Sequence, residues 1–365
     1  MSVEITLRGV WRNYGEQVAL AGVDAVLPAG RLIAVVGSSG SGKTTLLRLI
    51  AGLEAPDAGE VLFDKVAYAG RPEDRPTAMV FQSESLFPDL TVAQNIGFGV
   101  RTRGRRPELA DEQVAIAMLR LGLTGLDDRY PDELSGGQAR RVAIARAMVR
   151  QRNVLLLDEP FAGLDAPLVR ALLRQLQVTQ RRLGLTMVLV THDQEHALLA
   201  ADHVLVMDAG RVVQAGTPRS VFERPNSLFA AQFWGSSAFV DAQVEQIDES
   251  PAGRRAQVRL FGDLRSVPAH PQAVPGRPAT VLLRPHTLRV ERAPQAVTDD
   301  PWRRVSDELG VVEETHYYGD RVEYLVETEA GSLVAGGTLE AELIEPGTAV
   351  RLVLDEDRAW VLPLR

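Results

Sequence analysis

The segment GSSGSGKTT, Gly37 to Thr45, directly follows the apolar run Leu32 to Val36. It fits the pattern G-x-x-x-x-G-K-[ST], in which glycines let consecutive backbone N–H groups turn inward around an anion. The lysine of this pattern reaches the outer phosphates, and the hydroxyl binds Mg²⁺. The segment therefore predicts a phosphate-binding loop at a strand-to-helix turn, the alternative being a glycine-rich turn that holds no ligand.

Lysine usage supports the phosphate interpretation. Lys43 and Lys65 are the chain's only lysines, although lysine and arginine together number 40. Because the chain otherwise uses arginine, a lysine at position 43 indicates a site that needs a compact, mobile point charge rather than a planar guanidinium.

Length, charge and composition limit the class of protein. A chain of 365 residues is expected to form two domains, since single cores seldom grow past about 250 to 300 residues. The net charge of −8, with no block of basic residues, argues against a nucleic-acid partner. Because the chain has no cysteine, disulfides, thiolate zinc sites and cysteine nucleophiles are excluded. No secretion signal or apolar run near the roughly 18 residues of a membrane span is found, so we expect the chain not to enter a membrane.

Hydrophobic patterning predicts two domains of different class. Residues 1–235 alternate short apolar runs with helical segments, which indicates an α/β domain with a largely parallel sheet. Within it, about residues 83–150 are expected to form a helical subdomain. Residues 236–365 are expected to form a small all-β domain, since short alternating stretches are separated there by Gly, Pro and Asp turns. These stretches include Ala256–Leu260, Arg321–Val326 and Ala349–Leu354, and the proline-rich segment Pro268–Pro278 is expected to be a loop between strands.

Acidic residues end one further apolar run. Val154–Leu157 leads into Asp158 and Glu159, a pair suited to binding Mg²⁺ and to polarising an attacking water, respectively. Taken alone, the pair could equally be a solvated turn.

A polar residue also follows the run Thr186–Val190. His192 is expected at the same sheet edge, where it could contact a γ-phosphate. A metal site built from His192, Glu195 and His196 is the competing interpretation, although these residues do not match H-E-x-x-H.

LSGGQ, Leu134 to Gln138, precedes a helical segment. A Ser-Gly-Gly turn that opens a helix presents free N–H groups and the positive end of the helix dipole, both suited to a phosphate. Since one loop already serves that purpose, a second predicts a head-to-tail dimer in which this turn contacts a nucleotide bound mainly by another copy. The structural alternative is a helix start capped by Ser135.

In this order, the motifs resemble those of the nucleotide-binding subunit of ABC transporters, a P-loop NTPase, over residues 1 to about 235. The corresponding segments are GSSGSGKTT as Walker A, Val80–Gln82 as the Q-loop, LSGGQ as the signature, Leu155–Pro160 as Walker B, Ala162–Asp165 as the D-loop and Thr191–Asp193 as the H-loop. LSGGQ between the two Walker motifs distinguishes this family from other P-loop ATPases.

The resemblance implies roles for individual residues. Tyr14 would stack on adenine, although with Trp11 nearby it could equally be a core residue. The implied catalytic residues are Lys43, Gln82, Glu159 and His192. Those implied to bind Mg²⁺ are Thr44, Gln82 and Asp158. Those implied to bind ATP are Tyr14, Gly37, Ser38, Ser39, Gly40, Ser41, Gly42, Lys43, Thr44, Thr45, Ser135, Gly136, Gly137, Gln138 and Asp165.

The C-terminal residues resemble the OB-like (TOBE-type) extension of a subgroup of importer ATPases. Leu283–His286 and the Tyr317–Asp320 hairpin carry this likeness. The sequences of Tyr130–Ser135 and Glu159–Asp165 resemble those of the ferric ion, sulfate and polyamine members more than those of the sugar importers. A regulatory ligand site and an extension that only stabilises the dimer stay open as alternatives.

The resemblance implies an ATP-hydrolysing subunit that drives solute import. Two copies would close head-to-tail on two ATP molecules, with Mg²⁺ as cofactor. Separate permease subunits and an external solute-binding protein would complete the system, and the chain would lie at the cytoplasmic face of the membrane. The groove for the permease is expected near Gln82–Leu90, with Phe87 and Pro88 in its floor. The alternatives are a non-transport ABC ATPase and the ATPase of a sugar importer.

Overall fold

A computed structural model describes residues 2–68, 71–82, 86–101, 107–251, 253–293, 309–337, 339 and 342–363. The chain divides into two compact units, Met1–Pro218 and Arg219–Arg365. The division falls before the position near 235 that the patterning predicts, because residues 219–235 contact later strands. For example, the Trp360 indole donates to the Pro225 carbonyl at 3.1 Å.

The first unit combines strands and helices in alternation. Its strands are β1 (Ile5–Tyr14), β2 (Gln17–Leu27), β3 (Leu32–Gly37), β4 (Ala58–Phe63), β5 (Val66–Ala67), β6 (Thr77–Val80), β7 (Val154–Asp158), β8 (Thr186–Val190), β9 (His203–Asp208) and β10 (Arg211–Gly216). Its helices are α1 (Lys43–Ala51), α2 (Val92–Arg101), α3 (Pro107–Arg120), α4 (Gly136–Met148), α5 (Ala166–Leu183) and α6 (Gln194–Ala200). The α/β prediction for this region is confirmed.

A six-stranded sheet in the order β10-β9-β3-β8-β7-β6 forms the centre of this unit. Neighbouring strands from β9 to β6 pair in parallel, and β10 is an antiparallel edge strand. Every residue of β3, β7 and β8 is buried, as expected for parallel strands covered on both faces. A second, antiparallel sheet in the order β2-β1-β4-β5 was not predicted from the sequence.

Two hydrophobic clusters cover the two faces of the central sheet. On β7, Leu155 and Leu157 face one cluster, which also contains residues of α2 to α5, while Val154 and Leu156 face the other. The second cluster includes Leu46 and the other apolar residues of α1, together with strands β1, β2 and β4. The period-two alternation along a fully buried strand thus packs helices on one face and α1 with the antiparallel sheet on the other.

The second unit is mainly β structure. Helices α7 (Pro218–Glu223), which begins at the division, and α8 (Leu228–Phe233) precede its strands. These strands are β11 (Ala238–Ser250), β12 (Gly253–Leu260), β13 (Asp263–Pro268), β14 (Pro278–Leu283), β15 (Leu288–Arg292), β16 (Leu309–Tyr317), β17 (Val322–Thr328), β18 (Gly331–Gly337), β19 (Ala349–Leu354) and β20 (Trp360–Val361).

They form a five-stranded sheet, β13-β12-β11-β14-β20, and a closed barrel, β15-β18-β17-β16-β19. The predicted β-rich, OB-like C-terminal domain is confirmed. Over the described part of the chain, no helix has both the length and the apolar character needed to cross a bilayer.

Candidate functional site

The predicted site residues lie at one edge of the central sheet. Strands β3, β7 and β8 are parallel neighbours, so their carboxyl ends meet there. Gly37 ends β3, Asp158 ends β7, and His192 follows β8 by two residues. This edge is where open α/β sheets bind ligands.

Backbone crowding explains the glycines of the loop between β3 and α1. A Cβ atom at Gly37 would lie 2.1 Å from the Met207 carbonyl oxygen. At Gly42, where φ is +95°, it would lie 2.4 Å from the Ala19 carbonyl oxygen. Gly40 differs, because its φ of +79° requires the left-handed region but a Cβ there would meet nothing within 4 Å. The loop is therefore wrapped tightly at Gly37 and Gly42 and open at Gly40.

Lys43 begins α1 and lies beneath the loop, buried. Its Nζ donates to the carbonyl oxygens of Gly37 at 3.0 Å and Ser38 at 2.7 Å. Burial lowers the pKa of the Lys43 ammonium, and the neighbouring carboxylates Glu159 and Asp158 oppose that shift. The ammonium is thus held inside the loop, where an incoming phosphate could replace the carbonyl groups as its partner.

Thr44 and Asp158 form the pair expected to bind a divalent cation. The Thr44 hydroxyl donates to Asp158 Oδ1 at 3.2 Å. Burial raises the pKa of the Asp158 carboxyl, Glu159 adds to the shift, and the hydrogen bond from Thr44 opposes it. A hydroxyl beside a desolvated carboxylate is an oxygen donor set that fits Mg²⁺, because a cation would compensate the buried negative charge.

Gln82, also expected at the cation site, is exposed. Within the described residues its side chain forms no hydrogen bond with Thr44 or Asp158. Its carbonyl oxygen instead accepts from Arg140 Nη1 at 2.7 Å, and that of Phe81 accepts from the same nitrogen at 3.1 Å. The buried Arg140 belongs to α4, which begins within LSGGQ, so it links the signature helix to the segment before Gln82. Sequence reasoning missed this residue.

Glu159 has an unusual backbone conformation. Its φ is +46°, in the left-handed region, and its N–H donates to the Val190 carbonyl at 3.0 Å. Its Oε2 lies 2.8 Å from Nδ1 of His192. Non-glycine residues in this region cost about 1–3 kcal/mol and concentrate at functional sites. The backbone strain and the bond to His192 together fix the carboxylate just after Asp158.

The competing metal site at His192, Glu195 and His196 is not supported. Helix α6 begins at Gln194, so His192 precedes the helix and the two histidines do not share a helical face. Asp193 caps the helix by accepting from the His196 N–H at 3.0 Å, and the His196 ring packs edge-on against Phe161. Over the described part of the chain, no group of three His, Cys, Asp or Glu residues could hold a metal ion.

LSGGQ opens helix α4 through a reciprocal cap. The Ser135 hydroxyl accepts from the Gln138 N–H at 3.3 Å, and the Gln138 side chain accepts from the Ser135 N–H at 2.9 Å. Ser135 and Gly136 are nevertheless exposed, as is Asp165 before α5. Among the described residues, no hydrogen bond joins 135–138 to the loop 37–45. The capping alternative is therefore realised, and the turn stays open to solvent and separate from the phosphate loop of its own chain.

Tyr14 ends strand β1 and is 42% exposed, so it is not a core residue. Its hydroxyl donates to Glu54 Oε2 at 2.5 Å. Trp11, the nearby aromatic, lies over Gly22, where a Cβ atom would meet its indole at 3.2 Å. Trp11 is itself 38% exposed, so exposure alone does not separate the two aromatics.

An aromatic pair lies near the predicted permease groove. The rings of Phe87 and Phe98 have centroids 4.3 Å apart and are 38% and 41% exposed, and the Arg146 guanidinium lies over Phe87. The fully buried Asn95 holds this loop, accepting from the Phe87 N–H at 2.8 Å and donating to the Leu90 carbonyl at 2.8 Å. Residues 83–85 of the predicted groove lie outside the described residues.

Family models match both units. The ABC transporter model matches residues 20–162, and the TOBE domain model matches residues 281–362. Curated relatives match nearly the whole chain. The Fe(3+) ions import ATP-binding protein FbpC of Brucella melitensis biotype 1 is 37% identical over 354 residues, covering 97% of this chain and 94% of that protein. The spermidine/putrescine import ATP-binding protein PotA of Salmonella typhimurium is 38% identical over 336 residues, covering 92% and 86%.

Solved structures resemble the first part of the chain. CbiO1 from Clostridium perfringens, part of an ABC transporter complex, aligns with a TM-score of 0.56 and 33% identity over 60% of this chain and 89% of that chain. The dimeric ATP-binding cassette MJ0796 bound to ADP and Pi aligns with a TM-score of 0.54 and 29% identity, covering 59% of this chain and 99% of that one.

Proposed function

The chain belongs to the ATP-binding subunits of ABC importers, and we propose on that premise that it works as a homodimer whose closure on two ATP molecules drives solute uptake. ATP hydrolysis is its reaction. The observation that best supports the residue roles is the Glu159–His192 contact of 2.8 Å at the sheet edge that also carries the Thr44–Asp158 pair.

Binding of ATP would use the loop and the aromatic platform. The N–H groups of 37–45 and the positive end of α1 would receive the phosphates, and Lys43 would exchange its bonds with Gly37 and Ser38 for phosphate oxygens. Tyr14 would stack on the adenine, since it ends β1 exposed. Mg²⁺, held by Thr44 and Asp158 with Gln82 nearby, would neutralise charge on the outer phosphates.

Hydrolysis would be assisted by Glu159. Its carboxylate would accept a proton as the water oxygen forms a bond to the γ-phosphorus, while the bond from that phosphorus to the β–γ bridging oxygen breaks and ADP leaves. His192 would donate from Nδ1 to Glu159, and with both ring nitrogens protonated its Nε2 would also donate to the γ-phosphate. The strained backbone at Glu159 fixes the carboxylate before substrate arrives, so less reorganisation is needed during the reaction.

The second copy would complete each site. Ser135, Gly136, Gly137 and Gln138 would contact the γ-phosphate bound by the opposite loop, with Asp165 near the dimer contact. This assignment is supported by the exposure of Ser135 and Gly136 and by the lack of hydrogen bonds from 135–138 to 37–45 among the described residues. The similar cassette MJ0796 is itself dimeric when bound to ADP and Pi.

Membrane subunits would dock at the Phe87–Phe98 pair, placing the protein peripherally at the cytoplasmic face. Arg140 would connect that region to the signature helix, because its guanidinium binds the carbonyl groups of Phe81 and Gln82. Movement of α4 during dimer closure would then shift Phe81 and Gln82, which lead to the loop 87–91.

For the solute we propose ferric ion or a polyamine, with inorganic anions also favoured over sugars. Relatives that cover almost the whole chain are named as Fe(3+) and spermidine/putrescine import proteins. Uptake of radiolabelled ferric ion, spermidine and maltose should be compared in cells with and without the gene. Loss of maltose uptake alone would overturn the preference.

The test of the catalytic proposal is Mg²⁺-dependent ATP hydrolysis against protein concentration, with light scattering to follow dimers. Glu159→Gln is expected to lower the rate about 10²–10⁴-fold and to trap an ATP-bound dimer, because the general base is lost. Glu195→Gln is the matched control, since Glu195 is an exposed carboxylate on α6 near the same edge. Wild-type activity should rise faster than linearly with concentration.

Equal rates for the Glu159→Gln and Glu195→Gln variants would refute the role of Glu159. Full activity from a protein that stays monomeric at every concentration would refute the shared-site dimer.

A further inference from the structure

A cavity of about 370 Å³ opens at the amino-terminal edge of the central sheet. Val154 at the start of β7 and Leu185 just before β8 are on its wall. Asp158 lies at the other end of β7, about 13 Å away at the rise of a β-strand. The cavity is therefore separate from the ATP site, and its volume is within the range of about 300–1,000 Å³ typical of small-molecule sites.

The wall of this cavity is largely apolar. Its apolar lining residues include Ile116 and Ala117 of α3, Met148 and Val149 at the end of α4, and Leu155 and Leu183. Polar side chains also line it, namely Gln113, Arg120, Gln151, Arg152 and Asn153. Ile116 and Leu183 remain 39% and 42% exposed. Covering apolar surface of this kind with a ligand would contribute about 25 cal/mol of favourable free energy per Å² removed from water.

Arg120 lines this cavity, and further arginines line a depression beside it. A neighbouring depression shares Arg120 and Leu183 with the cavity and is also lined by Arg174 and Arg182 of α5. None of the described lining residues is acidic. In the described part of the chain, Arg120, Arg174 and Arg182 have no ion-pair partner. A chain with a net charge of −8 thus presents a locally cationic rim.

We propose that this arginine-edged cavity binds a small aromatic carboxylate. The aromatic body would enter between Ile116 and Leu183, and the carboxylate would pair with Arg120 at the rim. A guanidinium binds a carboxylate through two parallel hydrogen bonds, and an apolar cavity with a few convergent polar groups suits such an amphipathic anion. Met148 ends the helix that LSGGQ begins, so the ligand would contact the far end of the signature helix.

The probe for this site is 2-naphthoate, titrated calorimetrically into the full chain saturated with a non-hydrolysable ATP analogue. The neutral isostere 2-naphthamide is expected to bind about tenfold more weakly, because it lacks the charge that pairs with arginine. Arg120→Gln should weaken 2-naphthoate binding about fivefold or more. Arg181→Gln is the matched control, since Arg181 is exposed on α5 but does not line the cavity.

Three results would overturn the proposal. One is the absence of saturable binding up to about 5 mM, an affinity too weak for a built site. Another is equal binding of the acid and the amide, or equal effects of the two arginine variants. The third is loss of self-association in Leu183→Gln by sedimentation velocity, which would show that a second copy of the chain covers this surface.

A second inference concerns the base platform and rests on the proposed stacking of Tyr14. The Tyr14 hydroxyl is 2.5 Å from Glu54 Oε2, and Arg12 Nε contacts the same oxygen at 3.2 Å. The other carboxylate oxygen of Glu54 lies 3.5 Å from Arg48 of α1. The Arg12 guanidinium covers one face of the Tyr14 ring, 5.0 Å from its centroid. The opposite face is left for a base.

We infer that Glu54 is a positioning residue that orients Tyr14 and ties the platform to the phosphate-loop helix. Glu54→Gln and Tyr14→Phe are each expected to raise the KM for ATP about threefold to tenfold with kcat unchanged, since each weakens the hydrogen bond between Tyr14 and Glu54, and Glu54→Gln also weakens the ion pairs with Arg12 and Arg48. The double variant should be no worse than Glu54→Gln alone, because that variant has already weakened the contact that Tyr14→Phe removes. Glu60→Gln is the control, since among the residues that the structure describes Glu60 pairs only with exposed Arg8 on a neighbouring strand.

Tyr14→Ala separates the two possible failures. If it leaves KM unchanged, stacking by Tyr14 is wrong. If Tyr14→Ala raises KM but Glu54→Gln does not, only the positioning role is overturned.

Discussion

Asn95 allows a quantitative test of how the loop 87–91, before helix α2, is held in place. The side chain is fully buried and bonds to Phe87 N–H and to the carbonyl groups of Phe87, Leu90 and Thr91. In Asn95→Ala, two of these carbonyl groups keep a backbone donor, because Leu90 N–H reaches Phe87 and the residue 95 N–H reaches Thr91. The Phe87 N–H and the Leu90 carbonyl lose their partner. Because Phe87 is exposed and Leu90 only partly buried, water can reach these two groups, and about 0.5–1.5 kcal/mol for each lost hydrogen bond gives an expected loss of about 1–3 kcal/mol.

Two measurements check this value. Urea unfolding, followed by circular dichroism, should show the loss in the unit that contains α2, and hydrogen exchange should show a faster-exchanging Phe87 amide. Asn95→Asp is the informative variant, since it keeps the acceptor for Phe87 N–H but removes the donor to Leu90. Its Phe87 amide should stay protected. Basal ATP hydrolysis should persist where the protein is folded, because the hydrogen bonds of the Asn95 side chain within the described part of the chain go to Phe87, Leu90 and Thr91.

The control is Gln94→Ala. Gln94 is the exposed neighbour of Asn95, and its Oε1 accepts from Thr91 N–H at the helix start, a contact worth about 0.5–1 kcal/mol. A loss below about 1 kcal/mol for Asn95→Ala, or one equal to that of Gln94→Ala, would refute the accounting of unsatisfied groups.

Three further outcomes are expected. In urea unfolding, Gly42→Ala should destabilise the first unit by about 2–5 kcal/mol and Gly40→Ala by only about 1–2 kcal/mol. The reason is that an added Cβ would clash with backbone atoms at position 42 but would meet nothing within 4 Å at position 40. Equal losses of stability in the two variants would contradict this. Asp158→Asn should raise the melting temperature near neutral pH in the absence of ATP and Mg²⁺. Burial raises the pKa of the Asp158 carboxyl, which means that its charged form destabilises the folded chain. The gain in melting temperature should shrink as the pH falls toward 3.8, the ordinary pKa of aspartate, because the native carboxyl then becomes neutral. His286, whose pKa is lowered by burial and then by Arg358 and Arg284, should make the second unit lose stability as pH falls through 6.5, because the unfolded chain takes up the proton first. His286→Asn should flatten that dependence in urea titrations.

Sequence patterns could predict a phosphate loop because the chemistry expected of it is local. Gly37 to Thr45 needs its residue types in consecutive positions, and Asp158 and His192 follow uninterrupted apolar strands whose parallel pairing brings them together. The residues that hold these pieces in place had no such signal. Arg140 reaches Phe81 and Gln82 across more than fifty positions, and Glu54 reaches Tyr14 across forty. Contacts of that separation depend on the packed fold rather than on local patterning.

The antiparallel sheet and the division between units were missed for a related reason. Strand β1 contains register shifts that interrupt its alternation, including one beside Gly9, whose carbonyl oxygen lies 2.1 Å from where a Cβ of Gly59 would sit. Helices α7 and α8 continue the α/β pattern in sequence, but the contacts of Pro225 with Trp360 and of Phe222 with Arg284 assign them to the second unit.

At Glu159, the left-handed backbone makes the residue that would be best for folding stability differ from the residue that we propose for hydrolysis. Glycine or asparagine would adopt a φ of +46° with less strain, so the role that we propose for Glu159 in hydrolysis would be kept against a gain in stability of about 1–2 kcal/mol. A lineage that ceased to need hydrolysis would lose the reason to keep glutamate. Among descendants of such a chain, position 159 is where we expect glycine or asparagine to accumulate first, while the folded structure persists.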